Sequence, residues 1–248
     1  MRRRDALVVG GVMAVAVAIP PILRRLPSDF EFEPLPGFDG FRRMVGGSVS
    51  GAAGVFAGVG DRIPDQAPIL ASEPLTPCLA LFGPQGWSGD TVPIAIFSDF
   101  NCPYCKVLED RLMAMRDAGA PIRLVWHEMP LLGQGSYRAA KAVLAARFLG
   151  QEDAARDYLK ARILRPGPTA LRQMAEALDL LPDMLIREFQ GRRVADALVQ
   201  SLALGTRLGI PGTPGTVVGR TLVIGAIKDA DLTKLVSIEQ TEPRDICL

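Results

Sequence analysis

Four residues, Cys102-Pro103-Tyr104-Cys105, constrain this chain more than any other stretch. They stand between an apolar run at residues 91–97, which reads as a buried strand, and residues 106–118, which read as a helix. Two cysteines three positions apart both reach one end of a helix, where they can cycle between dithiol and disulfide. Only the thiolate attacks a disulfide, and a helix N-terminus stabilises that anion through its unpaired N–H groups and the positive end of its dipole. Cys102 stands at that terminus and reads as the nucleophile. Cys105, one turn inside, reads as the more covered, resolving thiol. Pro103 suits the first helical position, where no N–H is needed. Tyr104 brings no formal charge, so the pair is expected to be a milder oxidant than one with histidine there.

Two plainer readings of the cysteines stand beside this one. A zinc site needs two more ligands, and the candidates His127, Cys78 and Cys247 make no second pair at metal-ligand spacing. A permanently closed structural disulfide is the other; the strand–CxxC–helix setting favours redox chemistry. No metal and no cofactor is therefore assigned. A net charge of +1 over 248 residues leaves no nucleic-acid footprint.

The N-terminus reads as a targeting segment. Arg2-Arg3-Arg4 is a positive region, followed by an apolar run at residues 6–19 that Pro20 and Pro21 break. That run falls short of the roughly 20 residues of a spanning helix, though Ile22 and Leu23 extend it. Residues 1–23 are read as a signal peptide or a membrane anchor, and export to the bacterial periplasm is expected. Residues 24–70 are rich in proline and glycine with no sustained period, so they read as a tether without regular structure. The plainer reading is an extension packed on the domain through Phe38, Phe41, Val55 and Phe56. Residues 71–248 have the size of one domain, and the four cysteines fit an oxidising compartment.

Along that domain, residues 71–90 carry turn signals and lead to a first strand at residues 92–97. The helix after Cys105 ends near Gly119, and residues 122–127 read as a second strand, giving a right-handed parallel βαβ unit. Residues 136–208 show only helical periodicity, with Ser136, Thr169 and Pro182 as helix starts and Gly150 and Gly191 as stops. Then come Gly212-Thr213-Pro214-Gly215, a hairpin turning at Gly219-Arg220, and a last helix at residues 229–238 with Asp229 as its cap.

This order resembles the DsbA-like branch of the thioredoxin-fold thiol–disulfide oxidoreductases over about residues 93–238: strand, Cys-Pro-Tyr-Cys on a helix, strand, large helical insertion, Gly-Thr-Pro, hairpin, helix. The resemblance implies an α/β thioredoxin-like fold with an all-helical insertion covering the site. It implies that Cys102 attacks, Cys105 resolves, and Pro214 is a cis proline facing them, preceded by Thr213, in a loop that presents backbone groups to substrate. The chain departs from the pattern at Ile96, where relatives often bury a carboxylate, so the proton of Cys105 must go to water or to a group folded close. Asp99 reads as exposed and is a lesser candidate for that relay; His127 reads as structural. Cys78 and Cys247 are left over. Four cysteines allow three connectivities, and contiguity favours 102–105 with 78–247 as a structural disulfide.

Three function classes follow. The first is an exported thiol–disulfide oxidoreductase, foremost a dithiol oxidase, with reductase or isomerase as the alternative direction. Its partners are unfolded secreted proteins and a membrane or soluble protein that recycles it. The second is a binding module on the same fold, a holdase or Cu(I) handler, against which the single histidine and scattered methionines argue. The third is a structural envelope protein with a vestigial dithiol.

Overall fold

The computed structural model describes residues 29–44, 76–87, 89–242 and 247. The expected signal or anchor at residues 1–23, and most of the tether, lie outside them. Among the described residues no helix is long and apolar enough to cross a membrane.

A six-stranded mixed sheet forms the centre, in the order β1 (Phe32–Pro34), β2 (Arg42–Met44), β6 (Thr221–Ile224), β5 (Gly215–Val218), β3 (Val92–Ser98) and β4 (Ile122–Glu128). Strand β3, set between β5 and β4, is buried along its whole length. It runs parallel to β4, Ile122–Glu128, with Ile94 opposite Leu124. It runs antiparallel to β5, Gly215–Val218, with Phe97 opposite Gly215. β5 turns back into β6, Thr221–Ile224.

Because successive side chains point to opposite faces, β3 feeds two cores, which is why it reads as an unbroken apolar run. Ile94 and Ile96 face helix α2, Pro103–Asp117, through Leu108 and Leu112. They also meet the last helix, α8, Asp229–Thr241, through Leu232 and Leu235. Ala95 and Phe97 face the other way, onto the helical insertion. That insertion is α3, Gln134–Phe148; α4, Glu152–Ala161; α5, Pro168–Ala177; α6, Pro182–Gln190; and α7, Arg192–Arg207. Each fully buried side chain of this size stabilises the fold by about 1.5–3 kcal/mol.

Several local expectations are corrected. Residues 71–90 hold a short helix, α1, Pro77–Phe82, opened by its proline. Part of the segment read as tether is ordered: β1, Phe32–Pro34, and β2, Arg42–Met44, extend the sheet, β2 running parallel to β6. Phe38 and Phe41 are buried, as the packed-extension reading anticipates. Arg42 fixes this extension by pairing with Glu239 of α8 at 2.8 Å, and Glu239 also accepts from Thr221 Oγ1 and the Arg220 N–H. Ser136 is not a cap but sits inside the first turn of α3, buried. α5 starts at Pro168 with no side-chain cap from its neighbours. Asp229 lies in the first turn of α8 rather than capping it.

Cys78 of α1 is bonded to Cys247, with their Cα atoms 5.4 Å apart across a sequence separation of 169. Closing so long a loop restricts the unfolded chain, for about 3–5 kcal/mol in the chain-entropy account. Replacing both cysteines by alanine is expected to lower the unfolding free energy by about that amount in urea titrations.

Candidate active site

The β3 strand ends at Ser98 and delivers a short loop, Asp99-Phe100-Asn101, to the head of α2. Cys102 is the N-cap residue of that helix, and its sulfur accepts the Cys105 N–H at 3.3 Å. Pro103 follows at the first helical position. On the other side, the Cys102 thiol donates to the Thr213 carbonyl at 3.4 Å. The Thr213–Pro214 peptide is cis. Cys105 Sγ accepts the Asp99 N–H at 3.5 Å. Both sulfurs are thiols.

The two cysteines do not differ in cover as expected: each is only 1% exposed. They differ in what surrounds them. Cys102 sits behind a thin rim of exposed residues, Asn101, Pro103 and Tyr104. Cys105 is one turn deeper, and burial pushes its thiol far above the ordinary range, reinforced by its hydrogen bond with Cys102. The deeper sulfur therefore holds its proton, while the outer one stands at the N-terminus of the helix. Tyr104 and Val107 are exposed at 42% and 47% and make an apolar surface beside the thiol.

Asp99 is buried, contrary to the expectation of exposure. Its carboxylate accepts the N–H groups of Asn101, Leu131 and Leu132 at 2.7–2.9 Å. It thus ties the loop before Cys102 to the loop after β4. Only its bond from the Asn101 N–H, two residues on, has a local sequence signal, an Asx-turn. Asn101 in turn donates to Ser136 Oγ at 2.9 Å, joining the site to α3.

The helix after the cysteines carries a buried carboxylate of its own. Glu109, one turn beyond Cys105, is buried and accepts from Ser98 Oγ. It belongs to a buried layer with Arg156 of α4, which approaches Glu109 at 3.6 Å and is paired with Glu128. Burial works against the charge on Arg156, but Glu128, Glu109 and Glu152 outweigh it and hold the guanidinium charged. Glu128 is pushed up to about 7, by burial foremost, and one of its oxygens is buried without a partner. His127 donates to the Leu81 carbonyl at 2.8 Å and stacks on Phe97. Burial, together with Arg147 and Arg156, lowers it to about 4, so it is neutral at pH 7 and structural. No cluster of ligating side chains fit for a metal ion occurs among the described residues.

A dithiol at the head of a helix, met by a cis-proline loop, places the chain in the thioredoxin-fold class. Its helical insertion, set between β4 and β5, narrows the class further. The chain belongs to the DSBA-like thioredoxin domain family, whose sequence profile matches residues 93–236. It is similar to a thioredoxin-like oxidoreductase from Silicibacter pomeroyi, 30% identical with a TM-score of 0.58, over 66% of this chain and 98% of that one. The catalytic domain of Proteus mirabilis ScsC shares the fold at 23% identity and a TM-score of 0.56, over 66% and 94% of the two chains. The thiol–disulfide exchange protein α-DsbA2 of Wolbachia pipientis shares it at 24% and 0.55, over 64% and 90%. A stretch of 125 residues, half of this chain, is 30% identical to the Na(+)/H(+) antiporter NhaA 3 of Salinispora tropica. This chain spans only 19% of that antiporter.

The buried layer gives a pH signature. Glu128 is raised from 4.5 to about 7 in the fold. Its folded form binds the proton more tightly, so its contribution to stability is full below pH 4.5 and is lost as pH rises through 7. His127, lowered from 6.5 to about 4, acts in the opposite sense: its contribution is lost as pH falls from 6.5 to 4. The two slopes oppose each other between pH 4.5 and 6.5. Glu128→Gln removes one of them. Urea unfolding across pH 4.5–7 is expected to show the variant gaining stability relative to wild type as pH rises, by on the order of 3 kcal/mol over the window.

Proposed function

We propose that this oxidoreductase exchanges disulfides with exported protein clients through Cys102 and Cys105, working foremost as a dithiol oxidase. The observation that carries the reading is the 3.4 Å contact between the Cys102 thiol and the Thr213 carbonyl, beside the cis peptide of Pro214. It sets the attacking sulfur against main-chain groups that an extended client segment can pair with.

In the oxidised enzyme Cys102 and Cys105 share a disulfide. A client thiolate attacks Cys102 Sγ; the Cys102–Cys105 bond breaks and Cys105 leaves with the electron pair. Burial drives Cys105 to take up a proton at once, which opposes its return. A second client thiolate then attacks the client sulfur of the mixed disulfide. Cys102 leaves as thiolate, steadied by the Cys105 N–H and the helix dipole. The client has lost two electrons and gained a disulfide, and the enzyme holds both electrons as a dithiol. A redox partner must remove them for another turnover. Stabilising the reduced form in this way raises the potential, which favours oxidation of clients over their reduction.

Export rests on the basic and apolar residues at the N-terminus. A periplasmic thioredoxin-like protein from Salmonella enterica has the same fold at 22% identity.

Cys102→Ser is expected to abolish exchange with reduced client peptides, whereas the Cys102 thiol left in Cys105→Ser attacks a disulfide-bonded peptide, releases one of its thiols and accumulates as a mixed disulfide visible on non-reducing gels. Full exchange activity in the Cys102 variant would remove the assignment. Equilibration against glutathione is expected to place the potential of the pair above roughly −200 mV. A value near the roughly −270 mV of thioredoxin would instead make the enzyme a reductase.

A further inference from the structure

The helical insertion carries a groove that the redox chemistry does not use. It is an open cavity of about 450 Å³ between α3, the α4–α5 link and α6. Tyr137, Ile186 and Phe189 give it apolar walls, while Arg138, Lys141 and Arg165 line it with positive charge, and no carboxylate does. Among the described residues Arg138 and Arg165 make no ion pair, and Lys141 meets the face of Phe189 at 4.6 Å. Arg138 Nε is buried without a hydrogen-bond partner. Burial holds Lys141 below its ordinary range, so an incoming anion would ease its charge.

Leu164 joins this groove to a second cavity of about 140 Å³, which reaches Phe100 and Asn101, the two residues before Cys102. That cavity also lacks a carboxylate; Lys160 and Arg162 line it, Lys160 already paired with Asp110 and Asp157. Ile163 beside it is 85% exposed, an unusual position for a large aliphatic side chain. The Asn101–Ser136 bond holds the two ends in register. For a chain of net charge +1, four cations along one path, Arg138, Lys141, Arg162 and Arg165, with no ion pair among the described residues, are a local bias that suits a partner of opposite sign.

We propose that this path holds an acidic, apolar-rich segment of the client whose cysteine is joined to Cys102, so that the insertion selects clients carrying carboxylates near the reacting cysteine. The inference rests on the client-exchange reading and deepens it. Alternating charged and apolar side chains match the walls: carboxylates meet Arg138, Lys141 and Arg165, and aliphatic or aromatic groups meet Tyr137, Ile186 and Phe189.

The test uses two ten-residue peptides, each with one cysteine held as a mixed disulfide with thionitrobenzoate. They differ only in carrying three glutamates or three lysines between leucines. Reduced enzyme attacks the mixed disulfide and releases thionitrobenzoate, which reports the rate. Three exposed ion pairs, each contributing a factor of about two, predict a kcat/KM about tenfold higher for the acidic peptide at low salt. The preference should shrink as salt is raised. It should fall by at least half in Arg165→Glu, an exposed position, and further in Arg138→Glu/Lys141→Glu. If the double variant does not fold, Arg165→Glu and the salt series carry the test.

Exchange at equal rates with the two peptides, or a preference that neither salt nor Arg165→Glu changes, overturns the inference while leaving the exchange chemistry standing. Release of thionitrobenzoate from neither peptide nor from the symmetrical thionitrobenzoate disulfide overturns the exchange reading, and the inference with it. A dimer that Arg165→Glu dissociates in sedimentation gives the groove to a second copy and also overturns it.

Discussion

The pairing of β3 with β5 is the constraint on which the site depends. The two strands are antiparallel, with Phe97 opposite Gly215. The exit of β3 and the entry of β5 therefore lie at one end of the sheet, although more than a hundred residues separate them in the chain. Cys102 follows that exit and Thr213-Pro214 precede that entry, so the sheet register alone brings sulfur and carbonyl together. A one-residue slip would turn every side chain of the strand to the wrong face. The register is held by two cores at once, since Ile94 and Ile96 serve one and Ala95 and Phe97 the other. Gly215 is needed at this point: a Cβ there would lie 2.8 Å from Ile210.

Beneath the helix, a second device couples the insertion to the thioredoxin core. Arg156 reaches from α4 toward the sheet and α2, packed on Trp126 at 4.0 Å and paired with Glu109 and Glu128. Burying three ionisable groups is expensive, and their mutual attraction offsets that only when the geometry and hydrogen bonding are good. The offset is incomplete at Glu128, where burial outweighs its cationic neighbours. Such a layer adds little to net stability, but it specifies how the insertion docks, because any other docking leaves a buried charge uncompensated.

What the sequence made legible follows from how local each signal is. The Cys102–Cys105 pair, the strand before it, the helix after it and the all-helical stretch at residues 136–208 are patterns over a few contiguous residues, and they stand where expected. The helix at Cys78 was hidden because six residues give no period to detect, and its stability comes from the disulfide and from Leu81 and Phe82 in the core. The strands at residues 32–34 and 42–44 are too short to alternate visibly; they exist because the edge of β6 accepts them and Arg42 finds Glu239. Asp99 looked exposed because nothing nearby in the sequence announces that Leu131 and Leu132 will bring it their N–H groups. Glu109 and Arg156 were illegible for the same reason: each reads as an ordinary charged helix residue until its partner arrives from another element.

The same locality explains why the two thiols share their cover but not their chemistry. Exposure is a property of the whole fold, and both sulfurs are buried alike, Cys102 against the Thr213 loop. The electrostatic difference is instead set by position within one helical turn. Cys102 caps the helix and receives the Cys105 N–H, which favours its anion. Cys105 lies inside the turn, and its hydrogen bonds from the Asp99 N–H and Thr213 do not offset its burial. One turn of helix therefore separates a sulfur held at the helix N-cap from one whose burial keeps it protonated, and the proposed order of exchange rests on that asymmetry.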